Sequence, residues 1–117
     1  MITKLLNKIL RKNIDDYWYN DNNIIIYHYT YDNKRVTEQI NAHELAHSCK
    51  IWAFVNGYEL RSGTISEDNG DMIFDCAVYN KNADNAENYF IMVFEDINEP
   101  EAIFKACEYI LEQIENK

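Results

Sequence analysis

Hydrophobic and polar positions recur along this chain with two different periods, and the switches between them mark out the elements. Ile2, Leu5, Leu6, Ile9 and Leu10 fall on one side of a helical wheel, so residues 2–12 read as a short amphipathic helix. Residues 14–20 and 23–31 read as extended, with Asp21-Asn22-Asn23 as turn chemistry between them, which predicts a hairpin over 14–31. In the second run Ile24, Ile26, His28 and Thr30 share one face, and Ile25, Tyr27, Tyr29 and Tyr31 share the other. Both faces are apolar or aromatic enough to predict cover on both sides.

Residues 37–56 read as the longest helix, with Thr37 as N-cap and Asn56-Gly57 as the left-handed stop. Ala42, Leu45, Ala46, Cys49, Trp52 and Ala53 form one apolar face. Ile40, His43, Glu44, His47, Ile51, Phe54 and Val55 take the opposite side. The C-terminal half is therefore apolar all round, which predicts deep burial or engagement with a partner, a second copy included. Residues 58–66 and 71–79 form a second hairpin across Glu67-Asp68-Asn69-Gly70. A polar loop spans 80–88, and the apolar run 89–94 is expected as a central strand. The last helix, 99–115, has Asn98 as cap, Pro100 in its first turn and Glu101 at capping-box spacing. Ile103, Cys107, Ile110 and Ile114, widened by Ala106 and Leu111, make its buried stripe.

These elements define one α+β domain over 1–117: an antiparallel sheet, made of an N-terminal hairpin and a three-strand meander, carrying two long amphipathic helices. From residue 37 the order is helix, strand, strand, strand, helix. That order resembles the topology of double-stranded-RNA-binding domains. The resemblance requires a basic start to the final helix, and Asn98-Glu99-Pro100-Glu101 has the opposite sign.

Charge changes the picture further. The formal net charge is −9, and it is segregated: residues 1–12 hold Lys4, Lys8, Arg11 and Lys12 and no acid. An acidic body repels phosphate backbones, so direct nucleic-acid binding is not expected. The basic helix is expected to lie on the protein's own acidic body. No segment reaches membrane-spanning length, and Lys4 and Lys8 interrupt any leader-like run. Cys49, Cys76 and Cys107 are widely spaced and have apolar neighbours, which suits free buried thiols and a cytoplasmic location.

The chemical motif that stands out is His43-Glu44-Leu45-Ala46-His47. Four-residue spacing on a helix puts both imidazoles on one face, where they reach one metal ion. The pentad resembles the zinc signature of metalloproteases. That resemblance implies His43 and His47 as ligands, zinc as cofactor and Glu44 as general base. A third ligand is missing downstream, and His28 is the candidate that tertiary packing would have to supply. The plain alternative is a solvated helix face. No nucleophile elbow, phosphate loop or dinucleotide fingerprint is present, and the acids around Asp68 and Asp71 lack a calcium ladder.

Trp18, Tyr19, Tyr27, Tyr29 and Tyr31 cluster in the first hairpin and offer rigid, polar-tipped contact area. With the acidic turn at Asp68 and Asp71, they are the expected partner-binding residues. The sequence thus favours a small acidic binding module (an adaptor, an immunity-type protein or an inhibitor) that contacts a protein with a basic surface. The alternative is a minimal zinc-dependent hydrolase.

Overall fold

A computed structural model describes residues 2–20, 22–66 and 70–116. The elements run α1 Thr3–Leu10, β1 Ile14–Tyr19, β2 Ile24–Tyr31, β3 Lys34–Asn41, α2 Ala42–Val55, β4 Tyr58–Ser66, β5 Met72–Asn80, β6 Phe90–Asp96 and α3 Glu99–Glu115. A single 3₁₀ turn, Ala86–Asn88, interrupts the loop before β6. The fold is α+β. Two antiparallel three-stranded sheets, ordered β1-β2-β3 and β4-β5-β6, replace one continuous sheet.

The N-terminal sheet gains a strand that periodicity assigned to a helix. Asp32 and Asn33 both adopt positive φ (52° and 62°), which makes the two-residue turn favoured in hairpins. That turn sets Tyr31 opposite Lys34 and Thr37 opposite His28. Thr37 is therefore a strand residue and not the helix cap. Along β3, Val36, Glu38 and Ile40 are half-buried, and Arg35, Thr37 and Gln39 are exposed. This is a period of two, and the spacing of Thr37 to Ile40 imitates a helix start only locally.

Helix α2 begins instead at Asn41, whose side chain accepts from the backbone N–H groups of His43 (2.8 Å) and Glu44 (3.4 Å). Both long helices start at one joint. The backbone oxygen of Asn23 accepts from Ala42 N at 2.8 Å. Its side chain accepts from Asn98 Nδ2, the cap of α3, at 3.1 Å. Gly57, at φ +95°, then ends α2 in the left-handed conformation.

Helices α2 and α3 pack on each other and across the C-terminal sheet, while α1 lies against β1, α2 and α3. The basic helix therefore rests on its own chain, and Lys4 Nζ reaches Glu115 Oε2 at 3.5 Å. One buried cluster joins Leu5 and Leu6 of α1, Ile25 and Tyr27 of β2, Leu45 and Cys49 of α2, Val78 of β5, and Phe104 and Ile110 of α3. The molecule measures 50 × 40 × 19 Å, the thickness of one helical layer on one sheet layer. Strand β6, expected at the centre, is an edge. Its continuous apolar run comes from exposed Phe90, Met92 and Val93, while β5 supplies the buried Cys76 and Val78. No helix among the described residues is long and apolar enough to cross a membrane.

Candidate functional site

The inward stripe of α2 (Ala42, Leu45, Ala46, Cys49 and Ala53) is buried. The opposite face is open: His43, Glu44, His47, Ile51, Phe54 and Val55 are all exposed, Val55 at 76%. Two shallow cavities run along its flank. The first, about 150 Å³, is lined by His43, Ala46, His47, Lys50, Glu99 and Ile103. The second, about 270 Å³, is lined by His47, Lys50, Ile51, Phe54, Glu59 and Leu60. His47 and Lys50 border both, so the two form one groove with a polar end at Glu99 and an apolar end at Phe54.

The groove walls are fixed by contacts from neighbouring elements. Lys50 Nζ donates to Ser62 Oγ of β4 at 2.7 Å, which ties the middle of α2 to the sheet. Lys81 sits 3.8 Å from the centroid of the Phe54 ring and donates to the Phe54 carbonyl at 2.8 Å. A cation thus supports the C-terminal end of the helix dipole and one face of the ring. Glu59 is shared with Arg61 (3.2 Å) and Tyr89 (3.1 Å), and hydrogen bonds from these two hold its carboxyl below the usual range.

The pentad is helical, and both imidazoles face one cavity, as the four-residue spacing requires. Glu99 is the acid that shares that cavity, whereas Glu44 does not line it. His28 belongs to the other sheet. Its Nδ1 lies 2.8 Å from Asp16 Oδ1 and 2.6 Å from Arg35 Nη2, and its ring stands edge-on to Trp18 at 4.8 Å. Among the described residues no three His, Cys, Asp or Glu side chains are grouped so as to hold a metal ion.

The first-hairpin aromatics divide by face. Tyr27 and Tyr29 are buried. They sit on the same side of β2 as Ile25 and close over the core. Burial, followed by the bond to Glu38, pushes the Tyr27 hydroxyl up to about 12. Tyr19 keeps an exposed ring edge but hydrogen-bonds Glu101 through its hydroxyl. Trp18 and Tyr31 are exposed. Asp71 is exposed just before β5, and Asp68 lies outside the described residues. Cys49, Cys76 and Cys107 are free and buried. Burial pushes the Cys76 thiol up to about 12.

Sequence reasoning did not bring Lys50, Leu60, Glu99 and Ile103 together beside His43 and His47. They reach the groove from β4 and α3, or from the border between the two stripes of α2, and no spacing along the chain announces that. The chain matches no family model, no curated protein and no solved structure.

Proposed function

We propose that this protein is a small acidic binding module that docks a basic protein partner along the outer flank of α2. The observation that carries the reading is the exposure of Ile51, Phe54 and Val55 in the last turns of a helix whose other side is fully packed. Side chains of this kind contribute binding energy only when a partner removes them from water. The adjoining cavity, lined by Ile51, Phe54 and Leu60 together with His47, Lys50 and Glu59, suits an apolar anchor. A net charge of −9 would steer such a partner and speed its approach at low salt. Adaptor, immunity-type and inhibitor roles all use this mode, and three free buried thiols suit a cytoplasmic setting.

The test is affinity capture with the intact chain, followed by titration of the captured partner. Phe54→Asp should abolish capture, and binding should weaken as salt rises. Equal capture by wild type and Phe54→Asp would overturn the reading.

A second reading, zinc-dependent hydrolysis, is supported by the shared cavity of His43 and His47. It would use both imidazoles as ligands and Glu44 as base. Among the described residues Glu99 is the acid that shares the imidazoles' cavity, and the exposed apolar turns of α2 favour the binding reading.

A further inference from the structure

On the N-terminal sheet one ring nitrogen touches two groups that make opposite demands of it. A bulge between Ile14 and Asp16 shifts the register of β1, so that Asp16 lies directly opposite His28 of β2. Arg35 of β3 stands on the diagonal, two residues before Thr37, the direct partner of His28. His28 Nδ1 is 2.8 Å from Asp16 Oδ1 and 2.6 Å from Arg35 Nη2. Arg35 Nη2 also donates to Asp16 Oδ2 at 3.3 Å. The His28 side chain is only 16% exposed, whereas those of Asp16 and Arg35 are open to solvent. Among the described residues the charged groups facing the ring are Asp16 of β1 and Arg35 of β3, with Asp15 beyond them accepting from Thr30 at 3.3 Å. Trp18 and Thr37, its other neighbours across the strands, are uncharged.

Nδ1 cannot serve both contacts at once. A guanidinium only donates, so contact with Arg35 requires a bare Nδ1 and a proton on Nε2. A carboxylate only accepts, so contact with Asp16 requires a proton on Nδ1. Histidine is the side chain whose charge ordinarily changes between about pH 5 and pH 8.

We infer that His28 is a proton-operated switch that holds Arg35 against the sheet when the ring is neutral and releases it to solvent when the ring is charged. The shorter contact, to Arg35, selects the bare nitrogen for the neutral ring. In that state Nδ1 accepts from Arg35, and Arg35 bridges to Asp16. A proton taken from solvent at Nδ1 turns the acceptor into a donor. The imidazolium then donates to Asp16 and repels the guanidinium beside it. Arg35, 62% exposed on an edge strand, has an open path outward. The His28 ring stays, because it is mostly buried and stands edge-on to Trp18 at 4.8 Å. Acid thus displays a free basic group at the β3 edge of a chain whose net charge is −9. The switch shares no residue with the α2 groove, so the two inferences stand or fall separately.

Nitrogen-15 NMR of the side chains in the intact protein tests the switch. At about pH 8 the His28 ring should show a bare Nδ1 and a protonated Nε2, and the Arg35 guanidinium should exchange its protons slowly. By about pH 5 the bare Nδ1 signal should be lost, and Arg35 should exchange like a free arginine side chain. Arg35→Ala removes the donor from an exposed edge position. At about pH 8 it should move the proton of the neutral ring from Nε2 to Nδ1, with circular dichroism and the signals of His43 and His47 unchanged. A wild-type ring already protonated at Nδ1 at about pH 8 overturns the inference. So does an Arg35 guanidinium that behaves alike at both pH values, or an Arg35→Ala ring that keeps its proton on Nε2.

Discussion

The Tyr29 hydroxyl donates to Glu38 at 2.6 Å, from the central strand of the N-terminal sheet to its edge. Tyr27 donates to the other carboxylate oxygen at 2.8 Å. Two inward-facing phenols are thus satisfied by one acid at the rim of the core. Bonds from Tyr29, then Tyr27, hold the Glu38 carboxyl below its ordinary value of 4.5. A folded-state value below the unfolded one stabilises the protein above pH 4.5, and that contribution is lost as pH falls through the folded value. Tyr27 works in the opposite direction. Raised from 10.0 to about 12, it stabilises the fold below pH 10, and the contribution is lost as pH climbs toward 12. Thermal unfolding across pH should show both shoulders. Glu38→Gln should flatten the acid one and move the alkaline one to lower pH. A Glu38→Gln profile that overlays wild type would sink this account.

Asn41, not Thr37, should carry the start of α2. Asn41→Ala removes the acceptor for two otherwise unpaired N–H groups and should cost about 1 kcal/mol. Thr37→Ala, at an exposed position of β3, should change stability by less than about 0.5 kcal/mol. Chemical denaturation of the two variants separates the strand assignment from the helical one.

Phe104 and Phe54 are the same residue type on two helices with opposite fates. Phe104 is wholly buried, and Phe104→Ala should cost about 3–5 kcal/mol. Phe54 is half exposed, and Phe54→Ala should fall within about 0.5 kcal/mol in stability while weakening partner binding. A large loss of stability from Phe54→Ala would mean that the ring serves the core and not a partner.

The pentad yields a clean division between the two functional readings. Protein purified without chelator or metal-affinity resin should hold well under about one equivalent of zinc, and His43→Ala should leave partner affinity within about threefold. Close to stoichiometric zinc that survives dialysis and disappears in His43→Ala would restore the hydrolase reading, with Glu44→Gln as the variant that keeps metal and loses turnover.

The three thiols should resist alkylation in the native state. Burial raises the Cys76 thiol, and the contact with Cys49, with burial behind it, raises that of Cys107, so neither offers thiolate at neutral pH. Cys107 Sγ donates instead to the Cys49 carbonyl at 3.6 Å. Labelling monitored by mass spectrometry should track unfolding, with all three sites reacting together. Rapid modification of one cysteine in the folded protein would contradict this packing.

Much of the architecture was legible because it depends on local chemistry. The Asn98 cap, the Gly57 stop and the buried stripe of α3 each follow from a few adjacent residues. Strand β3 was hidden because Val36 and Ile40 satisfy a helical spacing as well as an alternating one. The deciding signal was the Asp32-Asn33 turn, which lacks the glycine that usually announces a hairpin. The tyrosines are ambiguous for a related reason. A residue with a polar tip reads as surface until its acceptor is known, and Glu38 lies nine residues beyond Tyr29. The α2 groove needed the tertiary approach of Leu60 and Glu99, which no single segment encodes.

A slab 19 Å through has a single interior seam, between its helical layer and its sheet layer. Slow amide exchange should therefore centre on Cys76 and Val78, where β5 is sandwiched between neighbouring strands and roofed by α3, and on the buried stripe of α3 from Phe104 to Ile110. Such a protein has little interior to spare. A single opening of α3 away from the sheet would hydrate the whole seam at once, so partial and global unfolding should share nearly the same free energy.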